Sequence, residues 1–399
     1  MSTQSSASYS ELVENYLRLA IRFDKHLCGF VDAAFGRAAY WRKALEAEPA
    51  LPLSELHQQA TMLLSALSGE QSERAQYLWQ QTQAIKTMIE KKQGITFPFR
   101  EEARLCLGIT HIAWQEESEI SKHLERLSQL LPASGSLSER FVKWRQRFEL
   151  KGEAIERFIR VALDEAKARA HQLFPLPENT IEVRLVHNKP WAGYHWYQGG
   201  FHSIYELNID VPTTIWNLLH TTTHEAFCGH HTEAIVKEAE LVNACGYDEF
   251  SISLLGTPAS LLSEGLAEAA ELLIIGGLSD TIEWLRAHKD LHHCTLTDED
   301  AEILAVLEGL GRKATVNAAL LMHEQHYSDD AVFLYLRRFS PSEDELLHRI
   351  IARLRDPDYR TYMLTYPIGK ELVLQRLQQS SNPTQTFYEM LKAVYCPLS

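Results

Sequence analysis

The sequence predicts a mainly α-helical fold with one small antiparallel β-sheet beside the helices that carry its chemistry. From Tyr9 to about Leu173, apolar residues recur at helical spacing and prolines are few. Between about residues 181 and 209 the pattern alternates, and aromatic and β-branched residues are frequent, which indicates strands. Helical spacing resumes near Thr213 and dominates to the C-terminus.

The N-terminal helices follow from the same spacing. A helix is expected over Ser10–Arg37, and others over Ser54–Leu67, Gly69–Lys92, Ser118–Leu131 and Leu137–Leu173. Ser136 and Ser138 both suit the N-cap of the last of these, and Glu139 suits its first turn.

Two lobes are expected from the length and from a change of composition. A chain of 399 residues exceeds the usual size of one hydrophobic core. Pro175 and Pro177 interrupt the pattern where the composition changes. We therefore predict a helical N-terminal lobe over residues 1–174 and a catalytic lobe over 175–399, either as two domains or as one compact body.

Composition and charge exclude several classes of function. The formal net charge of −14 argues against a nucleic-acid-binding protein. No apolar run is long enough to span a bilayer, and Met1–Ser10 is polar and lacks the pattern of a secretory signal. The six cysteines are scattered with no CxxC pair, which suits free thiols in a reducing compartment. We expect a cytoplasmic protein that has no membrane partner.

The most informative stretch runs from Thr221 to Glu233 and contains His224, Glu225 and His230. Catalytic zinc takes two neutral imidazoles and often one carboxylate, and on a helix the HExxH spacing places two histidines on one face. Here the histidines follow His224 by six and seven residues instead. On a regular helix His230 would point about 120° away from His224, and His231 would lie about 10.5 Å further along the axis.

Gly229 offers a way around this mismatch. Helix irregularities cluster at glycine, so a break there would let the histidines approach one another. The spacing alone leaves two interpretations open: a metal site on a distorted helix, and a polar helix that holds no ion.

The segment from His224 to His231 resembles the HExxPGHH signature of a family of zinc metallopeptidases distantly related to thermolysin-like gluzincins. Three further segments are similar to that family in the same order along the chain. They are Ser263–Glu271, which resembles EGWALYxE, then Met322-His323, which resembles a histidine that precedes a helix in the family, and finally Tyr366–Gly369, which resembles YKxG. The N-terminal third resembles the family more weakly, through Gly29–Ala33.

The resemblance implies His224, His230 and Glu264 as ligands of one zinc ion, with Glu225 as the general base. It also implies that His323 and Tyr366 lie across the cleft and donate hydrogen bonds to a developing oxyanion. The strand around Tyr205-Glu-Leu-Asn208 resembles an edge strand to which an extended peptide could add. Glu271 is expected to orient a ligating histidine, and His231 to lie behind the ligands or at the surface.

Two residues depart from the family pattern. Cys228 replaces the proline of the signature and Leu266 replaces a tryptophan. Cys228 occupies the position where HExxH would place a ligand, so a thiol ligand is one interpretation and a small buried hydrophobe is the other. The change at Leu266 is expected to reshape the substrate pocket.

We therefore expect a zinc-dependent hydrolase, most specifically an exopeptidase that cleaves short peptides. Carboxypeptidase action is the first expectation, and aminopeptidase or dipeptidase action is the next. Two alternatives stay open. One is a zinc hydrolase of non-peptide amides or esters, and the other is a helical binding module without catalysis. The pattern does not specify an oligomeric state.

Overall fold

The computed structural model describes residues 8–132, 134–189 and 191–393. Cys396 and most of the polar N-terminal stretch lie outside these ranges. Within them the chain is mainly α-helical with three small sheets, which confirms the predicted fold class.

Eight helices precede the predicted sheet region. They are α1 (Tyr9–Asp24), α2 (Gly36–Ala44), α3 (Leu53–Leu67), α4 (Glu73–Lys92), α5 (Phe99–Leu107), α6 (Glu117–Leu130), α7 (Leu137–Arg145) and α8 (Glu153–Leu173). Eleven more follow it: α9 (Ile215–Glu225), α10 (His230–Val236), α11 (Pro258–Ile274), α12 (Leu278–Ala287), α13 (Lys289–His292), α14 (Asp298–Leu310), α15 (Lys313–His323), α16 (Asp329–Phe339), α17 (Asp344–Arg355), α18 (Thr365–Gln378) and α19 (Pro383–Leu391).

Seven short strands complete the described fold: β1 (Val31–Ala34), β2 (Glu149–Leu150), β3 (Thr180–Val186), β4 (Gly193–Gly199), β5 (His202–Asn208), β6 (Thr213–Thr214) and β7 (Ile252–Leu254). The largest sheet has the order β3-β5-β4 and is mixed, because β3 runs parallel to β5 while β4 runs antiparallel to it. Only the β4–β5 hairpin fits the antiparallel pairing expected from the sequence. The turn joining these two strands uses Gly199 and Gly200 at positive φ.

Two predicted helices are interrupted. The segment Ser10–Arg37 contains α1, then β1, which pairs with β7, then the start of α2. The segment Leu137–Leu173 divides into α7 and α8 around β2 and Gly152, whose φ is +59°. Helical spacing continued across both breaks, so periodicity alone did not reveal them. Ser136 is the N-cap of α7 and forms a capping box with Glu139, as predicted.

The hydrophobic core crosses the predicted lobe boundary. One cluster contains Tyr16 and Leu78 from the N-terminal helices together with Leu218 and Leu320 from the second half of the chain. The division near residue 174 stays a prediction.

Helix α11 lies against both α9 and α18, so it places its polar residues between the two. Its contact with α18 depends on glycine. A β-carbon on Gly265 would lie 2.5 Å from the carbonyl carbon of Gly369, and one on Gly369 would lie 3.0 Å from the Cα of Gly265. The close approach of the two backbones brings the start of α18 beside the central turn of α11.

Candidate metal centre

Helix α9 ends within the His-Glu motif. Its last turn carries His224 and Glu225, and the next helix, α10, begins at His230. The amide of Gly229 donates to the carbonyl of Thr223 at 3.2 Å, which folds the connection back against α9. The rings of His224 and His230 consequently lie 4.8 Å apart between centroids. The break therefore falls in the segment that contains Gly229, where the sequence led us to expect a distortion.

Glu264, on α11, faces both imidazoles. Its Oε2 lies 3.4 Å from Nε2 of His224 and 3.8 Å from Nε2 of His230. One ligand atom from each of the three residues lies within 4.8 Å of the others. The structure thus brings together the three residues that the resemblance implies as ligands, in a geometry that could hold one metal ion.

Unsatisfied buried atoms show that this donor set fits a cation. Glu264 Oε2 is buried, and its nearest polar neighbours among the described residues are the two imidazole nitrogens, neither of them in good hydrogen-bond geometry, while Glu264 Oε1 accepts from the Tyr362 hydroxyl at 2.7 Å. A buried carboxylate oxygen without a partner is costly, and a cation beside it would remove that cost. Two imidazoles and one carboxylate also match the protein ligands of a catalytic zinc site, which keeps one position open.

His230 is oriented from behind by two polar side chains. Its Nδ1 lies 3.1 Å from Oγ of Ser263, and the Ser263 hydroxyl donates in turn to Glu233. With the proton on Nδ1, the lone pair of Nε2 points toward the ligand group. Such hydrogen bonds to the second ring nitrogen fix the tautomer that a metal requires.

Burial and charge set the protonation of the carboxylates. Burial, with added repulsion from Glu264 and Asp32, raises the pKa of Glu225 to about 7. Burial acts to raise the pKa of Glu264 as well, but His224 and His230 hold it below its usual range. Burial also lowers the pKa of His230, which favours the neutral imidazole that binds a metal.

A second group of possible ligands adjoins the first. It consists of His220, His224 and Glu268. Nδ1 of His220 lies 3.1 Å from Glu271, and its Nε2 lies 3.8 Å from Glu268. Arg312 lies 3.3 Å from the other oxygen of Glu268. Glu271 therefore orients His220, whereas Glu268 lies beside the predicted ligand His224.

The ligand group opens into a cleft of about 540 Å³. Nine of the thirty described residues that line it are aromatic, among them Phe35, Tyr77, Trp191, Tyr197 and Phe250. Tyr366 lies at the ligands, with its ring centroid 6.4 Å from that of His224, and the Arg312 guanidinium covers it at 4.6 Å. Burial raises the pKa of Tyr366, so its hydroxyl keeps its proton and can donate a hydrogen bond. Tyr366 thus lines the cleft beside His224, and its role as an oxyanion donor stays a prediction.

The expectation for His323 needs correction. Its ring stacks on Phe99 with 4.7 Å between centroids, and its Nε2 lies 2.8 Å from the carbonyl of Leu354. Among the described residues, those that line the cleft do not include His323. His323 packs the end of α15 against α5, away from the cleft, so it cannot donate to an oxyanion at the ligand group from this position.

The expected peptide-binding strand also needs correction. Tyr205 and Asn208 belong to β5, the central strand of its sheet, so neither edge of that strand is open. Tyr205 is fully buried, and the Asn208 amide donates to the carbonyls of Lys189 and Trp191. The edge strand that lines the cleft is β4, through residues from Gly193 to Tyr197.

Cys228 and Leu266, the two departures from the family pattern, lie in one hydrophobic cluster. Burial raises the pKa of the Cys228 thiol, and neither metal-compatible group among the described residues includes it. Leu266 is absent from the described cleft lining, so it does not reshape the pocket wall directly. His231 is buried beneath the sheet, where Ser203 contacts its Nδ1 at 2.7 Å and Asn179 its Nε2 at 3.2 Å.

Several residues at the site were not predicted from the sequence. They are Asp32 and Tyr194 on the cleft wall and the supporting residues Glu233, Ser263 and Tyr362. Ser263 immediately precedes Glu264, and Tyr362 lies four residues before Tyr366, so both were near recognised segments. Asp32 comes from β1, some 190 residues before the motif, and its approach depends on tertiary structure.

Comparisons with known proteins extend to the fold alone. No protein family and no curated protein matches the chain. A crystal structure described as "the putative lipoprotein from Colwellia psychrerythraea" matches at a TM-score of 0.53 and 15% identity, over 99% of this chain and 75% of that one. A second structure, described as "a putative lipoprotein of unknown function from Shewanella oneidensis", matches at a TM-score of 0.47 and 10% identity, over 91% of this chain and 76% of that one.

This finding contradicts the cytoplasmic location expected from the sequence. Lipoproteins are held at membranes by a lipid, which requires neither a long apolar run nor paired cysteines. Two of the features behind the expectation, the lack of a membrane-spanning run and the scattered cysteines, therefore do not report on the compartment, and the expectation was wrong. In the described part of the chain, no helix has the length and apolar character needed to cross a membrane.

Proposed function

We propose that this protein is a zinc-dependent hydrolase of short peptides, with Glu225 as its general base. One observation carries the proposal: the convergence of His224, His230 and Glu264 within 4.8 Å beside the buried carboxyl group of Glu225 in a cleft. Buried groups with displaced pKa values in a cleft are typical of catalytic sites. The cleft, about 540 Å³ and lined in part by aromatic residues, has the size and character of a small-ligand site.

The ligand residues would hold the ion and leave one position open. Zn²⁺ bound there would supply Lewis acidity and would lower the pKa of a water molecule. Tyr362 and Ser263 support the group by hydrogen-bonding Glu264 and His230, respectively.

Glu225 would move the proton. In this proposal it accepts a proton from the attacking water and later delivers it to the leaving amine. A carboxyl group whose pKa lies near 7 is suited to both transfers at neutral pH. Tyr366, protonated and beside His224, would donate a hydrogen bond to the oxygen on which negative charge develops.

The direct test replaces Glu225 by Gln and compares zinc content and hydrolysis with the wild type. We expect zinc to be retained and hydrolysis of a dipeptide panel to fall roughly 100- to 10,000-fold. Glu125→Gln, on the exposed face of α6, is the matched control and is expected to leave both unchanged. Hydrolysis that is unchanged in Glu225→Gln would refute the proposal. Hydrolysis of esters or acyl amino acids but not of dipeptides would show that the substrate is not a peptide.

A further inference from the structure

Asp32 places a carboxylate in the cleft from the wall formed by β1. The Tyr194 hydroxyl, from β4, donates to its Oδ1, so the pair joins two sides of the cleft. Among the described residues no donor is hydrogen-bonded to Oδ2 of Asp32, and no basic side chain forms an ion pair with this carboxylate. Arg42, the cation that acts on it electrostatically, directs its guanidinium to the Val31 carbonyl at 2.9 Å and to Asp24 at 3.8 Å.

The position of Asp32 is close to the predicted chemistry. The charge of Asp32 raises the pKa of Glu225, and the charge of Glu264 raises the pKa of Asp32. Burial is the main cause that raises the pKa of Asp32, which reaches about 6. A partly desolvated carboxylate without a counter-ion is stabilised by a cationic ligand, because the ion pair offsets the cost of desolvation.

We propose that Asp32 binds the α-ammonium group of the substrate, so that the cleft selects peptides with a free amino terminus. The inference rests on the proposed function and makes it more specific, since it implies aminopeptidase or dipeptidase action. An α-ammonium group lies one carbon from the carbonyl of its own residue. It must therefore bind near the catalytic groups, as Asp32 does. The ammonium group of a lysine side chain lies several bonds further from the scissile carbonyl, so it would bind further from the catalytic groups.

The charge of the cleft supports the amino end over the carboxyl end. Its lining contains five carboxylates, namely Asp32, Glu225, Glu233, Glu264 and Asp356, against two basic side chains, Lys237 and Arg353. Lys237 is paired with Glu233. With the two charges of the proposed zinc ion added to those of Lys237 and Arg353, the five ionised carboxylates still exceed the positive charges by one, which favours a cationic substrate terminus over a carboxylate.

The test compares leucyl-leucinamide with N-acetyl-leucyl-leucinamide in the wild type and in Asp32→Asn. We expect the wild type to prefer the free amine, and Asp32→Asn to lower kcat/KM for it roughly tenfold to hundredfold. The variant also changes the pKa of Glu225, which affects both peptides alike, so the loss for the free amine is expected to exceed the loss for the acetylated peptide by about tenfold or more. N-acetyl-lysyl-leucinamide, which has only a side-chain ammonium, is expected to behave like the acetylated leucyl peptide.

The matched control is Asp356→Asn, which removes the same charge from the same cleft. The carboxylate of Asp356 is already engaged by the amides of Asp358 and Tyr359, so the preference for a free amine is expected to persist. Equal cleavage of free and acetylated peptides, or an equal loss of both in Asp32→Asn, would overturn the inference. If N-acetyl-lysyl-leucinamide were cleaved as well as leucyl-leucinamide, the assignment of Asp32 to the amino terminus would be overturned.

Calorimetric binding of the same peptides to the zinc-loaded protein separates this inference from the proposed function. Binding of leucyl-leucinamide that weakens tenfold or more in Asp32→Asn, without any hydrolysis, would retain the ammonium site and refute the hydrolase. Hydrolysis that depends on Glu225 but shows no preference for the free amine would retain the hydrolase and refute the ammonium site. Binding that is indifferent to acetylation in the wild type would overturn the ammonium site whether or not the protein is catalytic.

Discussion

Gly229 lies so close to the carbonyl group of His224 that no side chain fits between them. A β-carbon at Gly229 would lie 2.5 Å from the carbonyl carbon of His224 and 2.7 Å from the oxygen of Thr223. The chain turns back at this point, and the turn brings His230 to His224. The proposed metal centre therefore depends on a residue without a side chain at this position.

Replacing Gly229 by Ala is expected to separate the two histidines. Because the obstructing atoms belong to the backbone, the clash cannot be relieved by a rotamer change, and we expect a loss of stability of roughly 1–3 kcal/mol or more. Zinc affinity should fall with it. Thermal unfolding and metal analysis check both. Gly69→Ala is the control, since a β-carbon there meets nothing within 4 Å. A Gly229→Ala protein with wild-type stability and zinc content would contradict this account of the turn.

Gly193→Ala should disturb Glu225 without touching the ligands. A β-carbon at Gly193, on β4, would lie 2.6 Å from Cγ2 of Thr221 and 3.2 Å from Oε1 of Glu225. Displacing the proposed base should lower kcat roughly tenfold to hundredfold while zinc is retained. Adding Thr221→Ser removes the closer contact and is expected to restore part of kcat. Unchanged kcat in Gly193→Ala would show that the position of Glu225 does not limit the reaction.

Glu225 should make the metal-free protein less stable as the pH rises. Burial raises the pKa of its carboxyl from 4.5 to about 7, so the folded state binds this proton more tightly than the unfolded state does. The contribution to the free energy of unfolding is therefore full below pH 4.5 and is lost as the pH rises through 7. Glu225→Gln should remove this loss and stabilise the metal-free protein at pH 8 by at most about 3 kcal/mol.

Denaturant unfolding of the chelator-treated proteins at pH 5 and pH 8 measures the effect. The difference between wild type and Glu225→Gln should be small at pH 5 and clear at pH 8. Glu125→Gln, on a solvent-exposed face, should follow the wild type at both values. A difference that does not depend on pH would rule out the raised pKa.

Glu268, and not Glu271, is expected to support the metal. Glu268 contacts His220 and Arg312, but it also lies in one group with His224, and its charge acts on that histidine. Glu271 contacts His220 and Thr281 instead. Carboxylates behind a ligating histidine typically contribute about 10- to 100-fold in metal affinity. Competition with a zinc chelator should show such a loss in Glu268→Gln and little change in Glu271→Gln. The opposite order would return the supporting role to Glu271, as the sequence suggested.

The sequence predicted the fold class and the three possible ligands, but it gave a weaker guide to their surroundings. Helical periodicity is a local property, and the family-like segments carried His224, His230 and Glu264 together. The interruptions of two predicted helices at β1 and β2 were not predicted, because apolar residues at helical spacing continue across them. The strand order β3-β5-β4 was not predicted either, because the central position of β5 is decided by its pairing with two other strands.

Individual side chains were harder to predict because their partners are distant in sequence. His323 precedes a helix as the resemblance required, yet its ring packs on Phe99, more than 200 residues away in the chain. Asp32 reaches the cleft only because β1 pairs with β7 and Tyr194 meets its carboxylate. Neither contact leaves a periodic signal in the residues around it.

Zinc content is the measurement that tests the central claim most directly. Wild-type protein, equilibrated with zinc and then dialysed, should retain about one ion per chain, as a site with three protein ligands would. Glu264→Gln should retain far less, because its Oε2 faces both imidazoles, while the exposed control Glu125→Gln should match the wild type. A wild-type chain that retains no stoichiometric zinc, or a Glu264→Gln chain that retains as much as the wild type, would contradict the proposed metal centre.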